Sequence, residues 1–401
     1  MTVCTGKQKP SSRTPEVTEE EIGDDDTHAR HNTEVLSRFL DRRQRLKAFC
    51  RRNEFKGSRV PVARNLVVDE NRKLLYCEVP KAGSTFWKGV FAILANNSSD
   101  SSSPSKVVLE SHIHDRQFLR FNQMNQDQQN SVLNSGHLML FVRDPYMRLL
   151  SAYMDKFVRP NLYYWQRYGT MIANRLRPQD EKTEEQCGQD ITFEEFINFF
   201  VLSQIPGGPL ASGDHHWTPV YRLCDPCYYP YDYIGKTESM LSDTRDILQA
   251  FNLSRFIEFN TSSDENSSVI EDIVRRASQF VDEYDNLSNC LSLSNLILRF
   301  WRYLTAKGYF KPGTPLPTGL INVQQSSPGN LKRTISYWAQ WMFYRQHSSG
   351  SVVKYSQEFA RAAYSTIPSG QLNKLKTAVR EDCILFGYDL EPDFVFPSDG
   401  T

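Results

Sequence analysis

The stretch Leu74-Leu75-Tyr76-Cys77-Glu78-Val79-Pro80-Lys81-Ala82-Gly83-Ser84-Thr85-Phe86-Trp87-Lys88 constrains this chain more than any other segment. An apolar run passes into a short loop with a lysine, a glycine and two hydroxyls, and an amphipathic segment follows. Phe86, Val90 and Leu94, with Trp87 and Phe91, recur at helical spacing, which predicts a helix burying one face against a sheet. Backbone N–H groups at a helix N-terminus lack internal partners, and the helix dipole adds partial positive charge there. Gly83 lets the backbone approach a ligand, Ser84 or Thr85 can cap, and Lys81 adds a full charge. The loop is therefore expected to cradle a phosphate or sulfate. It is not a Walker loop, because Lys81 comes two residues before the only glycine instead of directly after a second one. Taken alone, the segment reads equally well as an ordinary capped helix.

A second strand end adds specificity. Leu138-Met139-Leu140-Phe141-Val142 is an unbroken apolar run suited to a buried parallel strand. Asp144 then suits an N-cap and Pro145 the first helical position. Arg143 falls at the carboxyl end of the strand, where open α/β sheets bind ligands. From Asp144 to Ser151 is roughly 10 Å of helix at about 1.5 Å per residue. Arg143, Arg148 and Ser151 are thus expected to grip a second phosphate, the alternative being a solvated arginine at a helix start.

With these two loops in place, the chain resembles the Golgi carbohydrate sulfotransferases. Pro80–Lys88 is similar to their 5′-phosphosulfate loop, and the Arg143-to-Ser151 spacing to their 3′-phosphate site. The resemblance narrows to the group of chondroitin and dermatan 4-O-, N-acetylgalactosamine 4-O- and HNK-1 sulfotransferases. The segments that carry it are Ser151-Ala152-Tyr153-Met154-Asp155-Lys156-Phe157, Arg167-Tyr168-Gly169-Thr170, and His216-Trp217 leading into Pro219-Val220-Tyr221. Leu223-Cys224-Asp225-Pro226-Cys227, Tyr231-Asp232-Tyr233-Ile234-Gly235-Lys236-Thr237-Glu238 and Leu385-Phe386-Gly387-Tyr388 follow in order, so the match runs from Arg43 to Pro392.

The resemblance implies an α/β, P-loop-like sulfotransferase fold with a central parallel sheet flanked by helices. It implies 3′-phosphoadenosine 5′-phosphosulfate as sulfuryl donor, no metal, and a glycosaminoglycan or glycoprotein glycan as acceptor, with N-acetylgalactosamine 4-O as the expected position. Carried over by residue, Lys81 with the backbone of Ala82, Gly83, Ser84, Thr85, Phe86 and Trp87 would hold the 5′-phosphosulfate. Arg143 with Ser151 would hold the 3′-phosphate, and Lys236, after a third strand at Tyr231–Ile234, would lie beside the adenine. The chain departs from the pattern at Gly89, where many members have arginine, at Thr237, where many have tyrosine, and in an extra region at 286–349.

Sulfuryl transfer also needs charge neutralisation, assigned here to Lys81, and a general base for the sugar hydroxyl. His216 is the first choice, with His112 and His114 near Glu110 as rivals; Asp155 and Glu238 suit the orienting of basic neighbours better. Trp217 reads either as a platform for a sugar ring or as core.

Formal net charge is +0, so no global field draws polyanions or nucleic acid. A local basic lining would have to serve instead, with Arg159, Arg167, Arg175 and Arg177 as candidates. The eight cysteines include Cys224-x-x-Cys227, but a structural zinc site usually needs a second close pair, which is absent. Sequons at Asn96, Asn97, Asn252, Asn260, Asn266 and Asn286, with the family resemblance, favour disulfides in an oxidising lumen. No apolar run approaches the ~20 residues that span a bilayer. The resemblance implies a Golgi-lumenal enzyme whose type II anchor is missing or truncated in this chain, and it admits a homodimer.

The expected organisation is a disordered tail at 1–33, a stem-like helix at 34–60 and a sulfotransferase domain at 61–395. Helices are predicted at 193–202, capped by Thr192, and at 269–284 and 371–382, with Leu291–Leu304 as an apolar core segment. Two rivals stay open: a non-catalytic glycan-binding relative, and a nucleotide-dependent kinase of similar architecture.

Overall fold

A computed structural model of the chain describes residues 23–52, 62–95, 103–104, 107, 118–178, 187–205, 213–257, 265–321, 323, 327–347 and 355–397. Helix α1 (Gly23–Arg51) precedes strands β1 (Leu66–Asp69) and β2 (Leu74–Cys77). Helices α2 (Ser84–Ala95) and α3 (Gln126–Ser135) lead to β3 (His137–Val142) and α4 (Pro145–Tyr153). Then come α5 (Phe193–Ser203), β4 (Tyr233–Lys236), α6 (Met240–Ala250) and α7 (Glu265–Tyr284). The last helices are α8 (Leu293–Ala306), α9 (Pro328–Gln346), α10 (Ser356–Tyr364) and α11 (Ser369–Phe386).

The four strands form one sheet in the order β1-β2-β3-β4. β2, β3 and β4 run parallel, with Cys77 opposite Leu140 and Val142 opposite Lys236. The expected wholly parallel sheet is corrected at one edge: β1 pairs antiparallel with β2, Leu66 opposite Cys77. The four residues of β1 and a turn of Glu70–Lys73 make a hairpin, too short to carry a crossover. The third strand sits two residues later than its expected span.

Side chains alternate across the pleat and divide the core in two. Leu75, Cys77, Leu138, Leu140 and Val142 pack on one face with Leu46, Phe49 and Leu385. Tyr76, Met139 and Phe141 pack on the other with Trp87, Val90, Phe91 and Ile247. Gly235 of β4 admits the Phe141 ring, whose edge lies 2.3 Å from where a Cβ would stand. A third and larger core is mostly helical, and holds Phe196, Phe200, Trp217, Phe280, Phe300, Trp301, Ile335 and Phe343.

Local signals act where the sequence placed them. The Asp144 carboxylate accepts the Met147 N–H at 2.9 Å and Pro145 opens α4. Thr192 and Glu195 form a reciprocal capping box on α5. The apolar segment at 291–304 is core: Leu296, Ile297, Phe300 and Leu304 of α8 are all buried. α8 and α9, from the extra region, pack on α7 and belong to the helical core. α1, expected as a stem, is fastened to the domain: Arg42 meets Asp243 at 2.6 Å and donates to the Ile234 carbonyl at 2.8 Å.

Three disulfides tie distant parts together: Cys50–Cys227, Cys77–Cys224 and Cys187–Cys290. Both cysteines of the C-x-x-C pair are thereby in disulfides, and Cys383 is a buried free thiol. Cys77 closes β2 just before the cradle, and its bridge spans 147 residues. Cys77→Ala is expected to cost about 2–5 kcal/mol of stability. Chemical denaturation of the variant checks this, and an unshifted midpoint would remove the bridge from the fold's support.

Candidate active site

The loop after β2 turns sharply into α2. Lys81 (φ 69°) and Gly83 (φ 84°) both take left-handed backbone, which is strained for a lysine and free for a glycine. A Cβ on Gly83 would lie 2.1 Å from the Met240 methyl, so the loop is closely packed from behind. Ala82 gives its N–H to the Val79 carbonyl at 3.2 Å, and Trp87 gives its own to Gly83 at 3.1 Å. Ser84, Thr85 and Phe86 occupy the first turn of α2, where N–H groups have no carbonyl four residues back. The Trp87 side chain is core, 5.1 Å from the Phe141 ring centre.

Lys81 Nζ lies 3.1 Å from Asp155 Oδ2. The same carboxylate meets Lys156 at 3.2 Å and Arg159 at 3.3 Å. Asp155 sits in a π-helical turn, Met154–Val158, that follows α4 directly. Lys156 of that turn and Arg159 just after it meet the acid from its own segment, and Lys81 meets it from the cradle loop. Burial works to raise Asp155, but Lys81, Arg159 and Lys156 hold it well below the usual carboxylate range. Burial lowers the Lys81 ammonium, with Asp155 opposing.

Arg143 projects from the end of β3 and donates to the Lys81 carbonyl at 3.4 Å, so the two strand ends meet. Burial lowers its pKa, with Glu238 and Asp144 opposing. Ser151 is half-buried on α4. Arg148 departs from the expected grip. It is 3% exposed, and its guanidinium donates to the carbonyls of Pro80 (2.9 Å), Thr218 (2.8 Å) and His215 (3.2 Å). With its donors turned to the backbone, it positions two loops instead of meeting an anion. Lys236 donates to the Gly387 carbonyl at 3.1 Å and stands 4.0 Å above the Tyr388 ring. Glu238 accepts from the Asp144 N–H and the Tyr388 hydroxyl.

Through Arg148, the segment 214–218 is held against the cradle loop. His216 Nδ1 lies 2.5 Å from Asp214 Oδ1 and 2.9 Å from the Tyr164 hydroxyl, which itself lies 3.1 Å from Asp214 Oδ2. A carboxylate only accepts, so Nδ1 carries the proton and Nε2 is left as the basic nitrogen. Burial outweighs Asp214, and with Lys156 and His215 nearby it pulls His216 down to about 4. The Lys156 ammonium stands 4.5 Å above the Tyr164 ring. A continuous path of contacts thus joins Lys81, Asp155, Lys156, Tyr164 and His216. Asp214, His215 and His216 have ligand atoms within 4.8 Å of one another, but Asp214 is engaged in holding His216.

Trp217 is fully buried among Phe157, Tyr168, Phe196 and Phe199, which corrects its reading as a sugar platform. Among the candidate lining arginines, Arg159 reaches the site, whereas Arg177 is taken by Glu195 at 2.6 Å and Asp190 at 2.7 Å. Arg167 lies over the Tyr163 and Tyr168 rings, and Arg175 is exposed on its helix. The rival bases His112 and His114, with Glu110, fall outside the described residues. Sequence reading missed Asp214 and Tyr164. Asp214 has a local signal, two residues before the histidine; Tyr164 has none, being 52 residues away.

A profile of the sulfotransferase family matches residues 64–290. Among curated proteins, the chain is similar to carbohydrate sulfotransferase 11 of Mus musculus, 33% identical over 236 residues, covering 57% of this chain and 66% of that protein. It is similar to carbohydrate sulfotransferase 8 of Homo sapiens, 33% identical over 216 residues, covering 54% and 49%. Carbohydrate sulfotransferase 14 of Mus musculus is 34% identical over 193 residues, covering 48% of each. The chain thus spans from about half to just under two thirds of the relatives it matches. No solved structure matches it significantly. The matched span holds the cradle, the β3 end and the His216 segment together, and the chain belongs to the sulfotransferase family.

Proposed function

We propose that the chain is a carbohydrate O-sulfotransferase that transfers the sulfuryl group of 3′-phosphoadenosine 5′-phosphosulfate to a sugar hydroxyl, N-acetylgalactosamine 4-O in a chondroitin- or dermatan-like glycan. The observation that carries this reading is the convergence of Lys81, Arg143 and His216 around Asp155 and Arg148. Family membership and the similarity to carbohydrate sulfotransferases support it. The residues suit the donor. A tightly backed left-handed loop, open N–H groups in the first turn of α2 and a lysine fit a phosphosulfate, and Arg143 with Ser151 fits a second phosphate.

The donor supplies an activated sulfuryl group whose departure leaves a phosphate. Lys81, oriented by Asp155, offsets the charge that builds on the leaving oxygen, and its partial burial strengthens the attraction. His216 Nε2 takes the acceptor's proton, and Asp214 then stabilises the imidazolium through Nδ1. Lys236 packs against Tyr388 at the proposed adenine side. The three disulfides and exposed sequon residues at Asn252 and Asn286 support an oxidising, lumenal location, and we place the protein in the Golgi lumen. Among the described residues, no helix is long and apolar enough to cross a membrane.

Lys81→Ala is expected to lower kcat by about 10²–10³-fold, the scale for one removed charge-stabilising donor. Radiolabelled sulfuryl transfer with folding checked by circular dichroism tests this, and near-normal turnover would refute the cradle. Arg143→Ala is expected to weaken adenosine 3′,5′-bisphosphate binding by at least about tenfold, the equivalent of roughly 1.4 kcal/mol. Calorimetry reads it directly, and equal affinity would dismiss the 3′-phosphate role. Because His216 is depressed to about 4, its imidazole is neutral above that pH, and the acid limb of kcat/KM should fall near pH 4. A limb near the ordinary histidine value of ~6.5 would contradict the buried setting of the ring, since Asp214 by itself would raise the value.

A further inference from the structure

The cradle faces a second group of cations that the donor reading leaves unused. On α7, Arg275 and Arg276 both meet Asp272 Oδ1, Arg276 at 3.3 Å, while Asp272 Oδ2 accepts the Tyr309 hydroxyl at 2.9 Å. Lys307 follows the last turn of α8. Arg276 and Lys307 approach the same ring, Tyr303, at 5.5 and 5.9 Å. α8 is clamped onto the π-helical turn by Arg299, which donates to the Phe157 carbonyl at 2.7 Å and to Val158 at 3.2 Å. That turn carries Asp155 and leads into Arg159, so the α7–α8 cations stand beside the Lys81 group. The electrostatic couplings agree: Asp155 feels Arg276, Arg275 feels Arg159, and Lys307 feels Arg143.

The local charge does not balance. Lys81, Lys156 and Arg159 share Asp155, and Arg275 and Arg276 share Asp272. Among the described residues, Lys307 makes no ion pair. It is exposed by area, yet surrounding protein, Arg276, Arg275 and Arg143 push its ammonium down to about 7. Cations crowded together repel one another, and an anion entering between them removes that cost. The donor's two anionic ends are already provided for at Lys81 with α2 and at Arg143 with Ser151. The remaining positive charge therefore suits the other reactant.

We propose that Arg275, Arg276 and Lys307 form an anion subsite that holds a carboxylate or ester sulfate of an acidic glycan acceptor beside the transfer site. The inference rests on the sulfotransferase reading and deepens it: these three residues select an acidic acceptor chain over a neutral glycan. Arg275 and Arg276 fall within the span matched by the family profile and Lys307 lies beyond it, so the subsite joins a family-matched helix to the chain's own C-terminal region.

The test compares unsulfated chondroitin oligosaccharides with the same oligosaccharides after reduction of their carboxylates to alcohols. Full-length wild type is expected to show a KM about tenfold lower for the acidic form, one ion pair's worth of discrimination. In Arg275→Ala/Lys307→Ala that ratio should collapse toward one, with kcat retained and adenosine 3′,5′-bisphosphate affinity unchanged. Arg275→Lys should restore part of the ratio, which a merely structural role would not predict. An unchanged ratio in the double variant, or a loss of bisphosphate affinity, would overturn the subsite. If wild type binds the bisphosphate but sulfates neither acceptor, the transfer reading fails. Calorimetric binding of the two oligosaccharides to the bisphosphate-bound protein then decides the subsite alone, with equal affinities overturning it.

Discussion

One buried guanidinium holds the candidate site together. Arg148 comes from the middle of α4 and donates to Pro80 in the cradle loop and to His215 and Thr218 in the segment that carries His216. A buried charge is costly unless its donors are met, and carbonyl dipoles from two loops meet these. Burial pulls its pKa down only to about 10, so it stays charged at neutral pH. The arrangement couples two loops separated by more than a hundred residues through one rigid, planar fork. Asp382 supports it from α11 by accepting the Val220 and Tyr221 N–H groups at 2.7 and 2.9 Å.

Asp155 plays the matching part for charge. It gathers Lys81, Lys156 and Arg159, and each of those cations has a different setting. Lys81 belongs to the cradle, Lys156 stands over the Tyr164 ring beside His216, and Arg159 feels the arginines of α7. Without that carboxylate, three adjacent cations in a partly desolvated site would repel one another. With it, Lys81 keeps its charge in place before any ligand arrives, which is the preorganisation that transfer chemistry needs. The disulfide at Cys77 secures the strand from which this loop springs.

The cradle, the Asp144–Pro145 helix start and the Thr192 cap were legible because each is a local pattern whose physics lies within a few residues. The order of the family segments was legible for the same reason. Arg148 was misread because an arginine three residues past a proline looks the same whether it meets a phosphate or a carbonyl. Trp217 was ambiguous because an aromatic next to a histidine has no periodicity to reveal which way it faces. Tyr164 was invisible, since its link to His216 exists only after the helices fold back.

By itself, the sequence determined the strand-loop-helix units, their caps and the candidate donor residues, because helix ends, apolar runs and glycine turns act over short range. Tertiary structure alone decided which cysteines pair, that β1 turns the sheet's edge antiparallel, and that α9 joins the core. It also decided which cations are engaged and which stay open. Arg177 and Lys307 each follow the last turn of a helix, but Arg177 is closed off by Glu195 and Asp190 while Lys307 makes no ion pair among the described residues. Pairing and burial depend on distances between remote segments, and only the packed fold sets those distances.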